Sequence, residues 1–181
     1  VFDMTAQTRA ELAAVPGAAP IRDAATAGFV FNHTMLRIGD PRASLDFYTR
    51  VLGFALARKV DFEQAKFSLY FLVLAELDEM PDGDEERRQW LARQRGVLEL
   101  THNHGTESQP GPVYHDGNSE PRGFGHICVS VPDVRVACAR METLGVPFQK
   151  KLSDGSMRDI AFIRDPDGYW IELIQPAPLA G

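Results

Sequence analysis

Short stretches in which apolar and polar residues alternate recur along this chain, each bounded by turn residues, as expected for strands with one buried face. In Phe29–Ile38, His33, Met35 and Arg37 fall on one face and Thr34, Leu36 and Ile38 on the other. Further strands are predicted over Phe54–Val60, Lys66–Leu74, Val97–Asn103, His126–Val131, Val146–Lys150, Arg158–Arg164 and Tyr169–Ile174. Two stretches switch to the helical period. Asp40-Pro41 supplies an N-cap carboxylate and a proline at the first helical position, and Leu45, Tyr48, Val51 and Leu52 form one stripe before Gly53. Pro132-Asp133 opens the second helix, which runs through Leu144 to Gly145. Thr8-Arg-Ala-Glu11 fits a capping box and predicts a short helix through Ala14.

Two segments break the alternation. Glu76–Arg95 is strongly charged and reads as a surface insertion with a short helix around Glu85–Gln94. His104–Gly125 is rich in Gly, Pro, Asn and Ser and reads as an irregular loop. The chain ends in a tight turn, Asp165-Pro-Asp-Gly168, that aims a final strand in which Trp170, Glu172 and Ile174 share a face.

The order of elements repeats. With His33 aligned to His126, Asp40 falls on Asp133 without a gap, and Leu52-Gly53 falls on Leu144-Gly145 with one residue lost. His33 precedes Glu99 by 66 residues and His126 precedes Glu172 by 46; the difference of 20 is close to the length of the insertion. Each half is therefore a βαβββ module with a histidine on its first strand and a glutamate on its last. The expected fold is α+β, with two such modules in tandem and mixed sheets around an open cavity. An arm covers 1–28, the first module 29–103 with its insertion near 76–95, a connecting loop 104–125, the second module 126–176 and a tail 177–181.

Composition narrows the function. The chain has 181 residues, 44% of them apolar, enough to fill a core. Its formal net charge of −6 disfavours a nucleic-acid binder. The absence of a long apolar run disfavours a membrane span. The first residues do not resemble a secretory signal, and two cysteines, Cys128 and Cys138, suggest a reducing compartment. A cytoplasmic protein is expected. Cys128 is expected as a small filler facing the site side, and Cys138 on a buried helix stripe.

A lone Glu172 beside Trp170 is most simply an exposed edge carboxylate. Paired with Glu99, and with His33 and His126 on matching strands, it becomes half of a four-donor set. Two imidazoles and two carboxylates suit a borderline divalent cation with positions open to water or substrate. Arg37 follows His33 by four residues, as Asn103 follows Glu99, roughly 13 Å along each strand and on the same face. Such a cavity suits an elongated anionic substrate. Arg122 and Lys150 are candidates for further carboxylate contacts. A competing metal cluster of His102, His104 and His115 is disfavoured, because His102 faces away from Glu99.

Several blocks, in order, resemble the glyoxalase I family of the vicinal oxygen chelate superfamily. They are Leu45-Asp-Phe-Tyr-Thr-Arg-Val-Leu-Gly53, Lys66-Phe-Ser-Leu-Tyr-Phe-Leu72, Leu98-Glu-Leu-Thr-His-Asn103, Pro121-Arg-Gly-Phe-Gly-His126 and Asp165-Pro-Asp-Gly-Tyr-Trp-Ile-Glu172. The resemblance implies isomerisation of the hemithioacetal of methylglyoxal and glutathione to S-lactoylglutathione, a detoxification. It implies metal ligands His33, Glu99, His126 and Glu172, with Glu172 as first choice of base and Glu99 serving the opposite stereoisomer. Arg37, Asn103, Arg122 and Lys150 match its glutathione contacts, and Phe62, Phe67, Leu69, Met157 and Phe162 its apolar pocket. It implies a homodimer whose sites take ligands from both chains, which would give the arm a neighbour to drape over. The insertion resembles that of zinc-activated members, so zinc is favoured over nickel or cobalt. Two departures stand out: His33 occupies a position that is Gln in eukaryotic-type sequences, and Ser156 replaces a lysine near the glycine end of glutathione. Rival readings are an extradiol-type dioxygenase, which would need only two His and one Glu, and a drug-binding protein, which would need no ligands.

Overall fold

Alternation along the chain becomes two four-stranded sheets of the same design. The structure, a computed structural model, describes residues 7–176. The first residues of the arm and the whole tail lie outside that range. In the first sheet, β1 (His33–Ile38) pairs in parallel with β4 (Val97–Asn103), and β3 (Phe67–Val73) and β2 (Ala55–Phe62) follow antiparallel, in the order β1-β4-β3-β2. The second sheet repeats this with β5 (His126–Ser130), β8 (Trp170–Ile174), β7 (Ala161–Arg164) and β6 (Phe148–Lys150), in the order β5-β8-β7-β6. The helices lie between the first and second strands of each module: α2 (Pro41–Asp46), and α4 (Val134–Thr143). Asp40 and Asp133 cap them, each accepting from backbone N–H groups of the first turn.

The period-two pattern divides each sheet between core and solvent. Leu36 and Ile38 of β1, Leu98 and Leu100 of β4, and Tyr70 and Leu72 of β3 are buried, as are Ile171 and Leu173 of β8 and Ile163 of β7. They belong to one continuous core drawn from both modules. The opposite faces stay open, and it is there that His33, Glu99, His126 and Glu172 sit.

Several expectations need correction. Residues 29–32 do not join β1; Phe29 and Phe31 are 74% and 77% exposed. The strand expected from Arg158 begins only at Ala161, because the Met157 and Ile160 carbonyls accept from Lys150 Nζ instead of a neighbouring strand. The helix after Asp40 widens into a π-turn over Phe47–Val51. The insertion carries α3 (Asp84–Arg93), and it is not merely a charged surface. Leu91 is buried with Ala57, Val73 and Val97 in a second small core, and Trp90 and Met80 pack against it. The arm forms α1 (Arg9–Ala13) with the expected Thr8/Glu11 capping box.

The Asp165–Gly168 turn does more than aim β8. Asp165 is buried and accepts from Tyr48 Oη at 2.8 Å and from the backbone N–H groups of Asp167 and Tyr169. Asp167 accepts from Gly39 N at 2.8 Å and from Ser44 Oγ at 3.2 Å. Both carboxylates of a second-module turn thus hold the start of α2 in the first module. Gly168, at φ +90°, closes the turn in a conformation that a side chain would resist.

Candidate metal centre and substrate face

Strand register brings each histidine to its glutamate. Met35 opposes Glu99 across β1 and β4, and Cys128 opposes Glu172 across β5 and β8. In both modules the histidine is two residues before that opposing position, on the same face. His33 Nε2 lies 3.2 Å from Glu99 Oε2, and His126 Nε2 lies 3.4 Å from Glu172 Oε2. The two pairs are also exposed alike, the histidine side chains at 42% and 41% and the glutamates at 14% and 18%, so both open on solvent.

The four candidate ligands therefore form two half-sites. Among the described residues no three His, Cys, Asp or Glu side chains converge, and the two pairs do not meet within the chain. The donor set still fits a shared cation. The His33 ring lies between two oxygens that can only accept if Glu99 is ionised, Asn32 Oδ1 at 2.8 Å from Nδ1 and Glu99 Oε2 beyond Nε2. A neutral imidazole has one N–H to give. When Asn32 takes it, the Nε2 lone pair faces a carboxylate, an arrangement that a cation between them resolves. Thr101 Oγ1 donates to the other Glu99 oxygen at 3.2 Å. Beside Glu172 is the Cys128 thiol, which burial, then the carboxylate, pushes up to about 12. Cys128 is exposed on the site face and is not a core filler; Cys138 is buried, as expected.

Aromatic rings surround both pairs. Phe71, opposite Glu99, meets the His33 ring edge-on at 6.3 Å. Phe162, opposite Glu172, meets His126 at 5.2 Å and Trp170 at 5.9 Å. Phe62 and Phe67 stack at 4.6 Å, and Leu69 lies between Phe67 and Phe71 on the same face of β3. These rings make the open faces apolar beyond the ligands. Phe71 was not singled out in the sequence, although its position opposite Phe162 in the repeat would have found it.

The polar candidates fare unequally. Arg37 is exposed beyond His33, with no ion pair among the described residues, and lines a small cleft with Tyr114, Phe124 and Tyr169. Asn103 donates to Tyr114 Oη at 2.8 Å, a partner supplied by the connecting loop. Arg122 is on that loop, 77% exposed and paired with Glu120. Lys150 directs its ammonium at the carbonyls of Lys151, Met157 and Ile160, which places it as a brace for the 151–160 loop; Met157 lies in that loop. Arg164, unnoticed in the sequence, shares the face of Phe162 and opposes Trp170 beside a cleft of about 590 Å³. The His102, His104 and His115 cluster does not form. His102 bonds Glu107 at 2.7 Å, His104 bonds Ser68 at 2.8 Å, and His115 accepts from Gly117 N.

Residues 30–173 match the sequence profile of the Glyoxalase/Bleomycin resistance protein/Dioxygenase superfamily. This chain belongs to that superfamily. Within it, the chain is 63% identical to the lactoylglutathione lyase of Pseudomonas putida over 169 residues, covering 93% of this chain and 98% of that one. It is 56% identical to the lactoylglutathione lyase of Pseudomonas aeruginosa, with 88% and 90% covered. Among solved structures, the trypanothione-dependent glyoxalase I of Leishmania major superposes with a TM-score of 0.61 at 33% identity, over 81% of this chain and 86% of that one. No helix among the described residues is long and apolar enough to cross a membrane.

Proposed function

We propose that this chain is a lactoylglutathione lyase, isomerising the hemithioacetal of methylglyoxal and glutathione to S-lactoylglutathione. The observation that carries the reading is the duplicated His/Glu pair, set at the same register in two sheets and walled by aromatic rings. High identity to lactoylglutathione lyases over nearly the whole chain supports it.

His33 and Glu99 would hold a divalent metal together with His126 and Glu172, zinc first by donor type, with nickel or cobalt as alternatives. When bound, such a cation acts as a Lewis acid on the substrate oxygens. The reaction moves one proton from C1 to C2 of the hemithioacetal, so one carboxylate must take it and return it. Glu172 is placed for this task, since its oxygens face Trp170 and Phe162 across an apolar surface, and its neighbouring thiol is a weaker donor than the Thr101 hydroxyl beside Glu99. Glu99 serves the opposite stereoisomer. Phe62, Phe67, Leu69 and Phe162 exclude water from the aldehyde end, while Arg37 and Asn103 receive the charged end of the tripeptide.

The complete site lies between two copies of the chain, each giving one half. Two features support this: the pairs stay apart within the chain, and Ile21, Phe29 and Phe31 of the arm are exposed apolar side chains suited to covering by a neighbour. A cytoplasmic enzyme fits its substrate. The direct test is growth of thioester absorbance when glutathione and methylglyoxal are supplied, before and after a chelator. Activity lost on chelation and restored by zinc is expected; activity unaffected by chelation, or none in metal-loaded protein, would reject the reading.

A further inference from the structure

We infer that Asn32 is a positioning residue that couples the C-terminal end of α3 to His33, and so fixes which ring nitrogen of His33 a metal receives. The inference rests on the metal reading above and adds to it the device that orients the ligand.

A helix leaves its last carbonyls without partners. At the end of α3, the Leu91 and Gln94 carbonyls both accept from Asn32 Nδ2, at 2.9 and 3.0 Å. The backbone of Asn32 is held as well, its carbonyl accepting from Val97 N at 2.9 Å at the start of β4. These contacts decide the orientation of the carboxamide. Turning it over would set Oδ1 against two carbonyl oxygens and lose both bonds. Oδ1 is thus the atom left to face His33, and it lies 2.8 Å from Nδ1. An amide oxygen can only accept, so Nδ1 carries the proton and Nε2 is left as the donor towards Glu99. Metal-bound imidazoles commonly have their second nitrogen held in this way, and such partners sustain much of the affinity.

The second module lacks the device. The residue before His126 is Gly125, which has no side chain to offer, and its carbonyl accepts from Asn118 Nδ2. The His126 ring rests against Phe162 instead. The insertion, present only in the first half, thereby makes the two half-sites unequal: one histidine is oriented by hydrogen bonding, the other by packing.

The test uses full-length protein with Asn32→Leu and Asn32→Asp variants. Zinc affinity is measured by competition with a chromophoric chelator, His33 coordination by nitrogen-15 NMR of the zinc-loaded protein, and stability by thermal unfolding. Asp keeps an acceptor towards Nδ1 but sets an anion against the α3 carbonyls, so it should lose stability and keep zinc affinity within a few fold. Leu keeps the bulk without the acceptor and should weaken zinc about 10–100-fold, with Nδ1–H no longer held. Affinities in the two variants that track stability alone would reduce Asn32 to a helix cap and overturn the inference. Wild-type protein coordinating zinc through Nδ1 of His33 would overturn it without any variant. Wild-type protein that binds no zinc would instead reject the underlying metal reading.

Discussion

Glu172 and Glu99 occupy equivalent positions in two copies of one motif, yet their neighbours differ. A hydroxyl donates to Glu99, whereas Glu172 is bordered by a thiol, an indole and a phenyl ring. A carboxylate with fewer strong donors is the better base, which makes Glu172 the residue whose neutral isostere is most revealing. Glu172→Gln is expected to lower kcat by roughly 10²–10⁴-fold while the protein still takes up zinc, measured by turnover alongside metal content. Near-normal kcat would move the proton transfer elsewhere. Arg37→Ala should raise KM for the glutathione adduct roughly tenfold with kcat little changed, in line with loss of one charge-assisted hydrogen bond. An unaltered KM would remove Arg37 from substrate binding. At this scale the sequence carried the ligand positions well, because a period of two and an internal repeat are local properties. It did not carry the fate of Lys150, whose ammonium is drawn to carbonyls of a loop, or the hold of Tyr114 on Asn103. Those depend on the path of irregular segments, which no periodicity encodes.

Among elements, the Asp165–Gly168 turn changes meaning most. Its residues predict a tight bend, and the bend is there, but the bonds from Asp165 to Tyr48 and from Asp167 to Ser44 span more than a hundred residues and leave no local signal. Burial pushes the Asp165 carboxyl up to about 7, against the lowering effect of its three donors. Its value in the unfolded chain is near 3.8. The folded state therefore binds more protons between those values, and stability from this group is fully present below about pH 4 and declines as pH rises towards 7. The decline is on the order of 4 kcal/mol at most. Asp165→Asn should flatten that part of the stability profile, measured by denaturant unfolding across pH 4–8; an unchanged slope would show that Asp165 ionises freely in the fold. The insertion gives a second case. Its charge pattern predicted a surface helix, but Leu91 and Trp90 seal a small core against β2, and the helix end reaches His33 through Asn32. Sparse apolar residues in a charged helix gave too weak a stripe to reveal this.

For the whole molecule, duplication explains both the fold and the division of the site. Each module builds a half-site on an open face, and the shared core behind the sheets joins the modules without bringing those faces together. A two-fold assembly can set the first-module face of one chain against the second-module face of another, and it does so twice. The measurement that tests this most directly is lactoylglutathione lyase activity in dimers mixed from two inactive chains. One chain carries His33→Ala with Glu99→Gln, the other His126→Ala with Glu172→Gln. Sites shared between chains leave each mixed dimer with one intact set of four ligands, so co-folding equal amounts should recover about a quarter of wild-type activity by statistics. Failure to recover activity from chains that demonstrably assemble, while the wild type turns over the hemithioacetal, would contradict the account.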